Sequence, residues 1–559
     1  MSESKIAKFF SIVAKLLYGT FLLIIVPIYL YINLPVINMW FMGVPIGLFI
    51  ISVAIVVIEL RGLATKKTLL LKIASLVAAC MVIYILVISI ATWEGIRTSA
   101  YRNLIGEVAE KTTFSADITP VSNDQIRIVD QAVAHRLGEK VLGEKPALGS
   151  QVEVGEFRIQ KVKDKLYWVA PLLHSGFFKW FYKMGGTSGY VMVSATNERD
   201  VQLVTQVNGQ DLKIKYQSEA YLNSYLPRHL YLHGYFSTGM MDYTFEVDDE
   251  LNPYWVVTLY THRIGFSGVD AYGIAVVDAQ TGEIKRYGID DAPAWVDRIQ
   301  PMEIVQEQLN YWGEFVNGYW NFSNLDKLTT TDGMSLVYGD DNQSYWYTGL
   351  TSVGRDQGTV GFILVDTRTK KATWYKQAGA TEQAAMNSAM GKVQEKGYQS
   401  SFPIMYNING VPTYVMSLKD REGLIKMIAM VSVQDYSIVG VGNNLKEALR
   451  SYKDGYNITG NNNNQFNNNA SIGFGLTGRV TRISEDVTRG NSYYYFTIDK
   501  VPNKIFVGSS SVSNELPLTN ANDLVKIWYE DSRTQLIDIS QFDNQEIKTT
   551  VTDEMELVQ

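Results

Sequence analysis

Cysteine is almost missing. Cys80 stands alone in 559 residues and lies in an apolar run, so no intrachain disulfide can form and a disulfide-stapled secreted fold is excluded. That scarcity suits a bacterial or phage origin. Histidine is scarce too, with five in the chain, which leaves few groups for acid–base chemistry near neutral pH. No Walker A sequence, no HExxH and no G-x-S-x-G occurs. Positive charge is not in excess, and a net charge of −7 gives no reason to expect a nucleic-acid partner. Charge is also lacking from three long stretches near the start.

Those stretches, 16–34, 38–58 and 73–93, are each long enough to cross a bilayer as a helix. No acidic residue lies near their centres, so no ion or proton pathway is written there. A cleaved signal peptide would need a small-residue site after the first run, and none follows. Lys5, Lys8 and Lys15 precede the first span, and Arg61, Lys66, Lys67 and Lys72 outnumber Glu59 between the second and third. Cationic segments stay inside, so the expectation is an inner-membrane protein with a cytoplasmic N-terminus and residues 94–559 extracytoplasmic.

Beyond the spans a pattern recurs. GIAVVDAQTGEI (273–284) is echoed by GFILVDTRTKK (361–371), by GYVMVSATN (189–197) and by IAMVSVQDYSI (428–438). Each is preceded by a strand-like run starting at Tyr167-Trp168, Tyr254-Trp255, Tyr345-Trp346 or Tyr414-Val415. Helical spacing of apolar residues precedes these at 127–141, 302–316 and 382–394, less clearly at 218–226, and again at 444–456. Asp278 and Asp366 are suited to accept from the backbone of the next turn. Thr281, Gly282 and Thr369 supply the turn itself, and Ile274, Val276 and Ile284 are expected to face a helix. The pattern reads as a structural hairpin, and a catalytic Asp278 is disfavoured because its counterparts include Ser194 and Ser432.

A helix followed by a hairpin ending in VVDAQTGEI (276–284) resembles the PepSY module of bacterial envelope proteins and peptidase propeptides. The likeness covers 155–445 as degenerate copies, and implies a small extracytoplasmic α+β unit. The whole chain also resembles three-span envelope proteins encoded in bacterial and phage genomes.

Other stretches stand apart. PLLHSGFFKWFYKMGG (171–186) gathers Phe177, Phe178, Trp180, Phe181 and Tyr182 beside Lys179 and Lys183, which suits contact with lipid or another subunit. TGNNNNQFNNNAS is too polar for a core and reads as a linker over 458–472. Five strand-like runs at 475–484, 492–500, 504–510, 523–530 and 535–542 resemble an OB-fold barrel. GFGLTG (473–478) matches a dinucleotide fingerprint by letters, but an Asn tract precedes it and a strand follows. His229 and His233 are at metal-ligand spacing without a third ligand, and Asp248-Asp249-Glu250 with Asn252 reads as a polar turn rather than a calcium site.

The expected fold is thus an α+β membrane protein: spans over 1–100, a first unit over 101–245, a second PepSY-like unit over 246–330, a third and fourth over 331–457, an OB-like barrel over 473–545 and an acidic tail over 546–559. The expected function is non-enzymatic, without cofactor, metal or nucleic acid: a homo-oligomeric scaffold or binding assembly of the envelope in contact with membrane lipid, with another envelope protein as a candidate partner. The rivals are a PepSY-like regulator of an envelope peptidase and an oligomeric pore.

Overall fold

Uninterrupted apolar runs form helices at the N-terminus because each backbone hydrogen bond closes within the segment. The computed structural model describes residues 26–61, 69–112, 125–339, 343–353, 358–458, 474–488, 491–529 and 535–547, with single positions at 13, 19–20 and 24. Helix α1 is Val26–Asn33, α2 is Gly43–Arg61 and α3 is Leu69–Ala91. Two of these, α2 and α3, are long and apolar enough to cross a membrane. The first part of the expected 16–34 span, the Asn-rich linker and most of the acidic tail lie outside the described residues.

The gap between the first two spans is wider than the three residues PVI. Residues 34–42 are non-helical and fold back against later strands. Ile37 N donates to Phe236 O at 2.6 Å, Tyr231 Oη donates to Pro35 O at 2.9 Å, and Phe41 is buried with its ring 4.5 Å from that of His262.

The chain divides into two compact units, residues 1–114 with 124–383, and 115–123 with 384–559. After α3 the first unit continues with α4 (Glu94–Arg102), β1 (Val108–Lys111) and α5 (Gln131–Gly143). Asp130 caps α5, accepting from Val133 N at 2.9 Å. Strands β2 (Val152–Val154), β3 (Arg158–Val162), β4 (Lys165–His174), β5 (Tyr190–Ser194) and β6 (Val201–Val204) make a sheet of order β2-β4-β5-β6 with β3 also on β4. Between β4 and β5 lies α6 (Phe177–Tyr182), and after β6 comes α7 (Leu226–Leu230).

A second sheet, β10-β9-β8-β7, is built from β7 (Gly239–Val247), β8 (Pro253–Ile264), β9 (Ser267–Asp278) and β10 (Ile284–Gly288). Then follow α8 (Met302–Glu314), β11 (Leu328–Thr330), β12 (Ser335–Tyr338), β13 (Ser344–Ser352), β14 (Gly361–Asp366) and β15 (Ala372–Tyr375). These strands form the sheet β1-β15-β14-β13-β11, with β12 also on β13 and β1 parallel to β15.

The second sheet is buried on both faces, which explains its continuous apolar run. Ala275 and Val277 pack with Tyr190, Phe245 and Trp255 toward the first sheet, whereas Ile274 and Val276 pack with Ala292, Val296 and Ile299. This corrects the expectation that Ile274, Val276 and Ile284 share a helix-facing side. Ile284 pairs with Val277 and so follows its face, and Ile274 and Val276 are covered by the irregular 292–299 segment.

From α9 (Glu382–Gly391), which straddles the division, the second unit runs through β16 (Gln399–Ser400), β17 (Ile404–Ile408), β18 (Val411–Lys419), β19 (Ile425–Ser432) and β20 (Val439–Gly442). Helix α10 (Leu445–Ile458) packs so closely on β20 that a Cβ at Gly440 or Gly442 would overlap its backbone at Tyr452 or Ala448. Strands β21 (Phe474–Thr488), β22 (Asn491–Ile498), β23 (Val501–Ser509), β24 (Leu524–Tyr529) and β25 (Leu536–Asn544) close a barrel of order β21-β22-β23-β25-β24, with only β23–β25 parallel. A strand, not a helix, therefore follows the GFGLTG letters. The molecule is a mixed α+β protein with, among the described residues, two helices long and apolar enough to span a membrane and a closed five-strand barrel.

Candidate functional site

The four echoing hairpins end in corners of shared geometry. Tyr167 pairs with Ser194, Tyr254 with Asp278, Tyr345 with Asp366 and Thr413 with Ser432. In the last pair the equivalent of Tyr254 is Thr413, one residue before the Tyr414 suggested by the aromatic spacing. The next residue of each corner donates backward across the hairpin: Ala195 N to Leu166 O, Ala279 N to Pro253 O, Thr367 N to Ser344 O and Val433 N to Pro412 O.

In the first three hairpins the same residue's carbonyl takes two amides from the segment entering the hairpin. These come from Ile128 and Val129, from Lys215 and Tyr216, and from Ile299 and Gln300. The tryptophan after each tyrosine, Trp168, Trp255 or Trp346, donates Nε1–H to Val129 O, Tyr216 O or Gln300 O at 2.8 Å.

Asp278 Oδ1 accepts from Gln280 N and Thr281 N, both at 2.8 Å. Asp366 Oδ1 accepts from Arg368 N at 3.0 Å and from Thr369 N and Oγ1 at 2.6 and 2.8 Å. Gly282 has φ +80, and a side chain there would also strike Tyr216 and His229. His229 Nε2 bonds Gly282 O at 2.8 Å, and His233 Nδ1 bonds His229 O at 2.7 Å. Burial pushes His229 below its usual value. Among the described residues no group of three or more His, Cys, Asp or Glu could hold a metal. Asp248 accepts from Glu250 N, Asn252 N and Asn252 Nδ2, a closed polar turn.

Of the aromatic run, Phe177, Phe178, Phe181 and Tyr182 are exposed, while Trp180 is buried against Tyr221. In place of the less certain helix expected at 218–226 there is a single 3₁₀ turn, Leu222–Ser224, and α7 starts only at Leu226.

The most unusual polar group was not legible in the sequence. It joins β3, β7, the 297–298 segment and β12. Gln160 clasps Val247 twice, donating to its O at 2.8 Å and accepting from its N at 3.0 Å. Asp297 Oδ2 accepts from Lys161 N at 2.8 Å and from Tyr338 Oη at 2.9 Å. The Asp297 carbonyl takes the hydroxyls of Ser344 and Thr367 at 2.8 and 2.6 Å. Glu246, fully buried, accepts from Thr244 Oγ1 at 3.1 Å and faces Arg298 Nη2 at 3.7 Å.

Burial raises the Glu246 carboxyl to about 7 against the pull of Arg298, and raises Asp297 to about 6 against the donors of Lys161 and Tyr338. A cleft of about 340 Å³ lined by Lys161, Lys163, Asp164, Asp249, Trp295 and Asp297 opens beside it.

Two proton-holding carboxyls near a cleft are the profile of an acid–base pair. Their engagement argues otherwise: Asp297 already holds two donors on one oxygen, and Glu246 has no exposed surface for a substrate. The arrangement can lock strands together.

No protein-family model matches the chain, and neither does any curated protein. Among solved structures, an endo-1,4-beta-xylanase from Bacteroides thetaiotaomicron aligns over 70% of this chain and 95% of its own at 10% identity, with a TM-score of 0.16. A Synechocystis apocarotenoid oxygenase aligns over 72% of this chain and 67% of its own at 9% identity, with a TM-score of 0.14. At these scores neither likeness carries an argument.

Proposed function

We propose that this chain is a non-enzymatic membrane protein of the cell envelope, crossing the bilayer three times from a cytoplasmic N-terminus, with residues 94–559 outside as a homo-oligomeric scaffold or binding assembly. The observation that carries this reading is the use of its chemically apt groups. Asp278, Asp366, His229, Asp297 and Glu246 are engaged in turns and junctions. The orientation is supported by loop 34–42, whose Trp40 and Phe41 meet His262 of β8, the strand whose following turn at Gly265 lies against Thr92 just past α3.

Three outer strands, β1, β6 and β10, are only four, four and five residues long, and β10 exposes Lys285 and Arg286. Short, charged edges resist strand-by-strand joining, so copies should meet through side-chain surfaces rather than shared sheets. Class averages and mass of the detergent-purified protein test this: a monomer at every concentration sinks the homo-oligomer. A periplasmic-only reporter fused after Gln559 should be active, and an inactive fusion overturns the orientation.

A second reading, regulation of an envelope peptidase by PepSY-like units, is favoured by one observation, the corner geometry shared by the four hairpins. It requires a protease that co-purifies with the ectodomain and is inhibited by it.

A further inference from the structure

We propose that the first unit rests on the outer face of the bilayer through two aromatic feet, α6 and the 319–322 turn, whose ligand is the lipid headgroup layer. The proposal rests on the membrane-anchored reading above and adds where the ectodomain sits on the membrane.

The first foot is α6. Phe178 and Tyr182 are 76% and 85% exposed, and Phe177 and Phe181 are exposed beside them. Trp180 points inward and fixes the helix, its ring 5.4 Å from Tyr221, which also meets Phe177 at 5.1 Å. From Tyr221 the path runs directly to an apolar helix. Arg228 donates to Leu222 O and to Tyr31 O, each at 2.8 Å, and lies 4.2 Å over the Tyr31 ring. Tyr31 Oη donates to Asn223 Oδ1 at 3.1 Å. Tyr31 is in the last turn of α1, so α6 stands beside the ectodomain end of that helix.

The second foot stands at the end of α3. Trp93, two residues past that helix, meets Tyr319 at 5.5 Å and Trp320 at 6.0 Å, and Trp320 meets Phe322 at 5.8 Å. Trp320 and Phe322 are 62% and 78% exposed.

Exposed aromatics at the ends of spanning helices lie at the level where rings favour the membrane–water interface. Exposed Lys179 and Lys183 on and just after α6 add cations that suit anionic headgroups. Lipid rather than a second copy is the occupant because both feet adjoin helices that the membrane reading places in the bilayer.

The test uses the full chain with Cys80→Ala, then Phe178→Cys, Tyr182→Cys or Phe322→Cys, each exposed and so able to carry a nitroxide without disturbing a core. Lys285→Cys is the aqueous control. In phosphatidylcholine–phosphatidylglycerol nanodiscs holding one protein copy, the three labels should favour oxygen over a nickel chelate at least several-fold relative to the control. Equal accessibility at all positions overturns the proposal while leaving the membrane reading intact. Protection that appears only with two copies per disc also overturns it, in favour of a copy–copy contact. Protein extracted from membranes by alkaline carbonate would overturn both readings.

Discussion

Gly265, at the turn between β8 and β9, lies against Thr92 so closely that a Cβ on it would overlap the threonine Cγ2 and press on Ile88. Its φ of +57 is also one that side chains resist. The same turn sets Phe266 edge-on to Tyr84 at 5.9 Å, about 10 Å of helix before the end of α3. Gly265→Val should therefore push the hairpin off α3 and destabilise the first unit by about 1–3 kcal/mol. Thermal unfolding in detergent reads this, and an unchanged midpoint would mean the helix and hairpin are not joined there.

The corner at Asp278 separates turn chemistry from catalysis. Asp278→Ala leaves two backbone amides without their acceptor, a loss of about 1–3 kcal/mol. Asp278→Asn keeps the Oδ1 acceptor and should lose much less. The same order is expected at Asp366. Denaturant unfolding of the four variants checks it, and equal losses for Ala and Asn would refute the turn role.

Glu246 and Asp297 hold protons more tightly folded than unfolded, their carboxyls having risen from 4.5 and 3.8 to about 7 and about 6. Their favourable contribution is thus fully present below their unfolded values and is lost as pH rises through about 6 to 7. Compared with Glu246→Gln, the native protein should lose on the order of 3 kcal/mol of stability between pH 4.5 and 8. Melting curves of both across that range decide it. A difference independent of pH would show that folding does not raise the Glu246 carboxyl.

In the second unit Asp454, 4% exposed, accepts from Tyr493 Oη at 2.9 Å and Ser509 Oγ at 2.7 Å, and also from Ser511 Oγ. It fixes α10 to the barrel. Asp454→Ala should cost about 3 kcal/mol and split the unfolding of that unit into two transitions by calorimetry. Arg450→Ala, which removes a pair with the partly exposed Asp538, should cost less.

The barrel was legible because each strand is bounded by its own turn formers, and the runs at 475–484 and 535–542 need only a residue or a few more at their ends. The corners were legible because Asp, Thr and Gly act within a few residues of one another. The junction of Glu246, Asp297 and Arg298 was hidden for the opposite reason: Tyr338 and Ile159, both part of it, are 179 residues apart. Only Glu246, an acid inside the strand-like run Phe245–Val247, hinted at a buried partner. Loop 34–42 was hidden by its own composition. Met39, Trp40 and Phe41 continue the hydropathy of a span, yet Phe41 is buried among Tyr260 and His262 rather than in a helix.

That loop sets an order in time. His262 Nδ1 meets Trp40 O across 222 residues of chain. At ribosomal speeds of ~5–20 residues per second, Trp40 is made roughly 10–45 s before the histidine that receives it. In the proposed topology the apolar tip would spend that interval at the bilayer surface. The late strands would then close on a loop held between two spans, and the anchor would serve as the template on which the first unit finishes folding.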